Sequence, residues 1–231
     1  MTEQAQAPKV KGVVDLVFLI DATGSMGPLI DALRDGIRQF IDRLTAEGGQ
    51  GAVTNWRAKV VGYRDLTVDP SSWFVDHPFS RDAAELRQQL GATVPASGGD
   101  HPESTFDAIY TVAKMGASTP GTEDPARWRD GAEAARVILC FTDAVSHPTL
   151  SVPDAVGGTV EDVKNALLSN RVRLVLYAPD DQDYHALAGA RGVVMEPTAD
   201  LRALATDPAA FDEAMKALVK TVTIMATPAA L

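Results

Sequence analysis

The chain has 231 residues, a formal net charge of -10, 45 % hydrophobic and 23 % charged residues. That composition supplies a core for one α/β domain and excludes wholesale disorder, while the acidic balance argues against binding a phosphate backbone. No apolar run approaches the roughly 18 residues of a membrane span, and residues 1–12 lack a signal-peptide core, so the chain reads as soluble and cytoplasmic. After that polar arm, Val13 to Ile20 is apolar except for Asp15, the pattern of a buried parallel strand. The turn Thr23-Gly24-Ser25-Met26-Gly27 follows. Leu29, Ile30, Leu33, Ile37, Phe40, Ile41 and Leu44 then recur at helical spacing, and Gly48-Gly49 is expected to end the helix.

Trp56 to Tyr63 reads as a strand, and Trp73 to Val75 as a short one beyond the turn residues Asp69-Pro70-Ser71-Ser72. A helix is expected from about Asp82 to Leu90, and another entered at Pro102 after Ser97-Gly98-Gly99-Asp100. Thr119 to Gly131 is a Pro- and Gly-rich loop, and Arg136 to Phe141 a second strongly apolar strand. A helix over Val160 to Ser169, a strand over Val172 to Ala178, a short helix over Asp183 to Gly189 and a strand over Gly192 to Met195 follow. Phe211, Met215, Leu218, Val219 and Val222 mark a final helix. The alternation predicts one doubly wound α/β domain over 13–226, with a mostly parallel sheet, helices on both faces and a short tail over 227–231. The single cysteine, Cys140, lies inside an apolar strand and reads as a buried structural thiol.

Ligands of such sheets sit outside the carboxyl ends of the strands, where strand order reverses. The two most apolar strands stop at Asp21 and Asp143, and Asp100 precedes a helix start. Thr23 and Ser25 follow Asp21 on a glycine-containing turn. Each piece alone has an ordinary explanation: Asp21 or Asp143 as a cap or turn residue, Asp100 as an acid near a helix dipole. Jointly they make an all-oxygen donor set suited to a hard cation, Mg²⁺ or Mn²⁺, with Ca²⁺ as a third choice. Zinc through His101 and His147 is the weaker alternative, the two histidines reading better as hydrogen-bonding groups beside the site. Glu103 reads either as a group that orients a loop or as a first-turn acid, and Trp128 either as an interface anchor or as packing over the domain edge.

The order of these motifs is specific. Asp21-Ala22-Thr23-Gly24-Ser25, Gly98-Gly99-Asp100-His101-Pro102-Glu103 and Phe141-Thr142-Asp143-Ala144 with His147-Pro148 resemble the three elements of the metal-ion-dependent adhesion motif of von Willebrand factor type A (vWA) domains. The resemblance implies a Rossmann-like vWA fold over most of the chain and direct ligation by Thr23 and Ser25. It has Asp21 and Asp143 acting through water or behind the hydroxyls. Asp100 stands where the family more often has threonine, and that extra charge should tighten cation binding while weakening the pull on an acidic partner. The implied function is a non-enzymatic module that binds a partner protein through the cation, with a C-terminal helix able to shift on ligation. The alternative is a Mg²⁺-dependent phosphohydrolase using Asp21 as nucleophile, although the second Asp such enzymes want is Thr23 here.

Overall fold

A computed structural model describes residues 12–46, 53–96, 102–197 and 200–226. Positions 1–11 of the expected arm over 1–12, the tail 227–231 and Gly48-Gly49 lie outside the described residues. Six strands form one sheet in the order β3-β2-β1-β4-β5-β6. They are β1 (Val13–Asp21), β2 (Asn55–Tyr63), β3 (Phe74–Asp76), β4 (Ala135–Phe141), β5 (Val172–Ala178) and β6 (Val193–Pro197). All neighbours pair in parallel except β2 with β3, which is an antiparallel edge. β1 is central, and the chain moves outward from it first to β2 and later, on the other side, to β4. The order therefore reverses between β1 and β4, where a doubly wound sheet opens a crevice.

The sheet is covered on both faces because successive side chains of each strand point to opposite sides. Val14, Leu16, Phe18 and Ile20 of β1 pack with α1 (Gly27–Ala46), α2 (Ala83–Ala92) and α7 (Pro208–Ala226). Val17 and Leu19 face α3 (Thr105–Ala113), α4 (Val160–Ser169) and α5 (Gln182–Ala188). A short α6 (Leu201–Thr206) joins the first group, and the spacing of apolar residues did not reveal it. α1 buries the stripe Leu29, Ile30, Leu33, Ile37, Phe40, Ile41 and Leu44, as its periodicity predicts. Asp82 caps α2, its carboxylate accepting from the Ala84 amide, and Thr159 with Asp162 forms a capping box on α4. The expected helix at Pro102 begins at Thr105. Glu103 stands ahead of it in a parallel bridge with Ser146, so it is not a first-turn acid.

The one charged residue of the first strand, Asp15, has no exposed surface. Both its oxygens are held by Arg57, at 2.9 Å each, and Arg129 Nε donates to Oδ1 at 2.7 Å. Arg129 also brings the 119–131 loop onto the sheet. In that loop Trp128 is fully buried, its indole N–H donating to the Val112 carbonyl at 3.0 Å and its ring 5.5 Å from Phe79. Trp128 is thus packing rather than an exposed anchor. Cys140 is buried, and desolvation pushes its thiol far above the ordinary range. Among the described residues no helix is long and apolar enough to cross a membrane.

Candidate metal site

Asp21 is the last residue of β1 and Asp143 lies two residues beyond β4, so both project from the carboxyl edge at the strand reversal. The register pairs Ile20 with Phe141, which sets Thr142 beside Asp21. Thr142 Oγ1 donates to Asp21 Oδ2 at 2.8 Å. The other oxygen, Oδ1, accepts from the Thr23 amide at 3.0 Å and from Thr23 Oγ1 at 2.7 Å. The turn through a single 3₁₀ stretch, Gly24–Met26, then presents Ser25. Ser25 Oγ lies 3.3 Å from Thr23 Oγ1 and donates to Asp143 Oδ1 at 2.9 Å. Four of the five residues singled out in the sequence therefore form one hydrogen-bonded group. The fifth, Asp100, lies outside the described residues, as does His101.

Electrostatics make this group receptive to positive charge. Burial pushes the Asp21 carboxyl up to about 6, despite the hydrogen bonds from Thr23 and Thr142, and the nearby Asp143 charge adds to the rise. A cation favours the ionised form and removes that penalty. Among the described residues no three His, Cys, Asp or Glu side chains converge as a metal-holding group; the described donors are two hydroxyls and two carboxylates. Their chemistry fits a hard cation. In an octahedron with metal–oxygen bonds of about 2.1 Å, adjacent oxygens stand about 3.0 Å apart. The 3.3 Å separation of the Thr23 and Ser25 hydroxyls is close to such an edge. Each hydroxyl gives its proton to a carboxylate, which leaves its lone pairs able to face an ion, so Asp21 and Asp143 orient the two hydroxyls.

No family model matches the chain. It is 25 % identical over 144 residues to alpha-protein kinase vwkA of Dictyostelium discoideum, covering 62 % of this chain but only 20 % of that protein. That is a weak vWA-like relationship. The chain spans about a fifth of the curated relative it matches, and under half of the solved chains it resembles. Proximal thread matrix protein 1 from the mussel byssus superposes with a TM-score of 0.55 at 12 % identity, over 92 % of this chain and 46 % of that one. The pilus adhesin SpaC from Lactobacillus rhamnosus GG gives 0.51 at 14 %, over 92 % and 31 %. These likenesses speak to fold alone.

A buried polar layer under the site was not legible as such in the sequence. Tyr184 on α5 donates to the Ala144 carbonyl at 2.8 Å and lies 3.1 Å from Thr105 Oγ1, and Thr105 meets the Tyr63 hydroxyl at 2.9 Å. Burial pushes both phenols well above their ordinary range, so they serve as neutral hydroxyls. The layer ties the ends of β2 and β4 to the starts of α3 and α5. A tyrosine closing the expected strand Trp56 to Tyr63 was the available signal. Beside it, Asp65 gathers three loops: its Oδ1 accepts from the Thr67 amide and hydroxyl at 2.8 Å each and from Ser104 Oγ at 3.2 Å, and lies 3.2 Å from His147 Nε2. Burial works to raise the Asp65 carboxyl, but the Thr67 donors and His147 hold it below its usual value. His147 fastens its loop through the backbone, its amide donating to the Glu103 carbonyl at 2.9 Å. Asp107, in the first turn of α3, accepts from the Ser151 and Val152 amides at 2.7 and 2.9 Å and holds the loop that follows Asp143.

Proposed function

We propose that the carboxyl edge of this sheet holds one divalent cation, Mg²⁺ or Mn²⁺, and that the chain uses it to bind an acidic group of a partner protein. One observation carries the reading: hydroxyls from one side of the strand reversal and a carboxylate from the other meet at oxygen separations of 2.9 to 3.3 Å. Thr23 and Ser25 supply direct ligands, while Asp21 and Asp143 accept the hydroxyl protons and provide the compensating charge. The cation supplies an electrophilic position that a carboxylate can complete. Thr142, Tyr184 and Asp65 keep the ligand loops in place without touching the ion.

A phosphoryl-accepting Asp21 needs an approachable oxygen. Here both oxygens are engaged by Thr23 or Thr142 and the residue has no exposed surface, which favours the binding reading. Isothermal titration with Mg²⁺ and with Mn²⁺ tests the site. The wild-type protein should give saturable heat, and Ser25→Ala should weaken binding at least about tenfold with an unchanged circular dichroism spectrum. Absence of saturable heat with either ion overturns the proposal. Asp21-dependent turnover of a phosphate ester in Mg²⁺ would replace it with the hydrolase.

A further inference from the structure

Exposed apolar side chains are few on this molecule, and their placement is uneven. Among the described residues seven large ones are exposed, and five of them are Val68, Val75, Val94, Val145 and Val156. Val68 follows β2 and Val145 and Val156 follow β4, on the side of the sheet that carries the candidate metal site, while Val94 follows α2 and Val75, the middle residue of β3, pairs with Gly62 near the end of β2. The other two, Leu168 and Ile224, sit apart on α4 and α7. Apolar surface gathered around a polar centre is the anatomy of a protein-docking face.

Within that face there is a groove. Ala22, Gly62, Arg64, Val75, Thr93 and Val94 line it. It starts one residue from both Asp21 and Thr23, on the α2 side of the sheet. Its walls are fixed: the Ala22 amide donates to the Tyr63 carbonyl at 2.7 Å, and the Ala96 amide donates to the Ala22 carbonyl at 3.1 Å. Gly62 lets Thr93 close onto the strand at the floor, since a Cβ there would stand 2.8 Å from Thr93 Cγ2. Val94 is 59 % and Val75 41 % exposed, so the apolar rim faces solvent. Arg64 donates to the Val94 carbonyl at 2.8 Å and reaches the Ala22 carbonyl at 3.4 Å. It forms no ion pair among the described residues, in a chain of net charge -10.

We infer that this groove is the second half of the partner site: it takes an aliphatic side chain of an extended protein segment whose Asp or Glu, within three residues, completes the cation's coordination. The inference rests on the proposed metal-dependent binding and adds the identity of the occupant. Charge complementarity selects it. The cation beside Ala22 and the Arg64 guanidinium, which spans the Ala22 and Val94 carbonyls, place positive charge along the apolar trough, which suits an acidic residue with aliphatic neighbours and repels a basic segment. Val75 and Val94 then bury against the incoming side chain, an area term of about 1.5 kcal/mol for a full valine-sized contact, or roughly tenfold in affinity.

The test uses the full chain and two pools of short peptides with one central Asp. Neighbouring positions are Val, Leu or Ile in one pool and Ser or Gly in the other. In Mg²⁺ the wild-type protein should bind the aliphatic pool about tenfold more tightly. The double variant Val75→Ser/Val94→Ser changes only exposed side chains. It should lose that preference while keeping Mg²⁺-dependent binding of the Ser/Gly pool. Ser25→Ala should lose both. Equal binding of the pools by wild-type protein overturns the groove and leaves the metal reading standing, as does a preference that survives in the double variant. If neither pool binds in a Mg²⁺-dependent way, the metal reading falls and takes the groove with it. Mg²⁺-dependent self-association in sedimentation, abolished by the double variant, would give the groove to a second copy of the chain and overturn the partner assignment.

Discussion

Without a cation, ionising Asp21 works against the fold. Its folded-state carboxyl titrates at about 6 rather than 3.8. Between those values the folded chain retains a proton that the unfolded chain has released. Stability is therefore full below about pH 3.8, falls as pH rises through 6 and stays low above it. The shift corresponds to about 3 kcal/mol. Asp21→Asn should then stabilise the metal-free protein at pH 7 by about 1–3 kcal/mol, because the amide oxygen still accepts from Thr23 and no charge is buried. The gain should vanish near pH 3.5. Denaturant titrations in chelator at the two pH values measure it, and an Asn variant weaker than wild type at pH 7 would mean the carboxylate itself holds the loop.

Among the elements, β1 carries opposite jobs at its two ends. At the amino end Asp15 is locked between Arg57 and Arg129, both almost wholly buried. Removing the acid strands two guanidiniums, so Asp15→Leu should cost about 3–5 kcal/mol in chemical denaturation. Six residues of strand, about 20 Å, separate it from Asp21, so Mg²⁺ affinity of the folded variant should change less than about twofold. Loss of Mg²⁺ binding in a still-folded variant would show that the two ends are coupled. The strand itself was legible from its apolar run, and α1 and α4 from periodicity and caps. Asp15, by contrast, looked like a mere interruption of the pattern, because its partners lie 42 and 114 residues away and no local rule links them. The same distance hid Thr142 as a partner of Asp21: only the β1–β4 register sets them side by side. α6 escaped because six residues are too few to show a 3.6-residue period.

For the whole molecule, the site and the fold are thermodynamically linked. A cation that binds only the native state should stabilise wild-type protein by about 2.7 kcal/mol at a hundredfold excess over its Kd. Thermal unfolding in Mg²⁺ against chelator should therefore raise the wild-type Tm and raise that of Ser25→Ala by about half as much or less. An equal rise in both would assign the stabilisation to screening of a chain of net charge -10 rather than to the site.

β1 leaves the ribosome first, yet it is the strand that needs neighbours from both directions: β2 begins at Asn55 and β4 only at Ala135. A nascent polypeptide halted before Asp143 would display Thr23 and Ser25 with no acid across the gap, and one flank of its central strand bare. On the proposed reading, cation capture is a late event in biosynthesis, and a ribosome-bound segment ending before Asp143 should be a client of chaperones before it is a ligand for anything else.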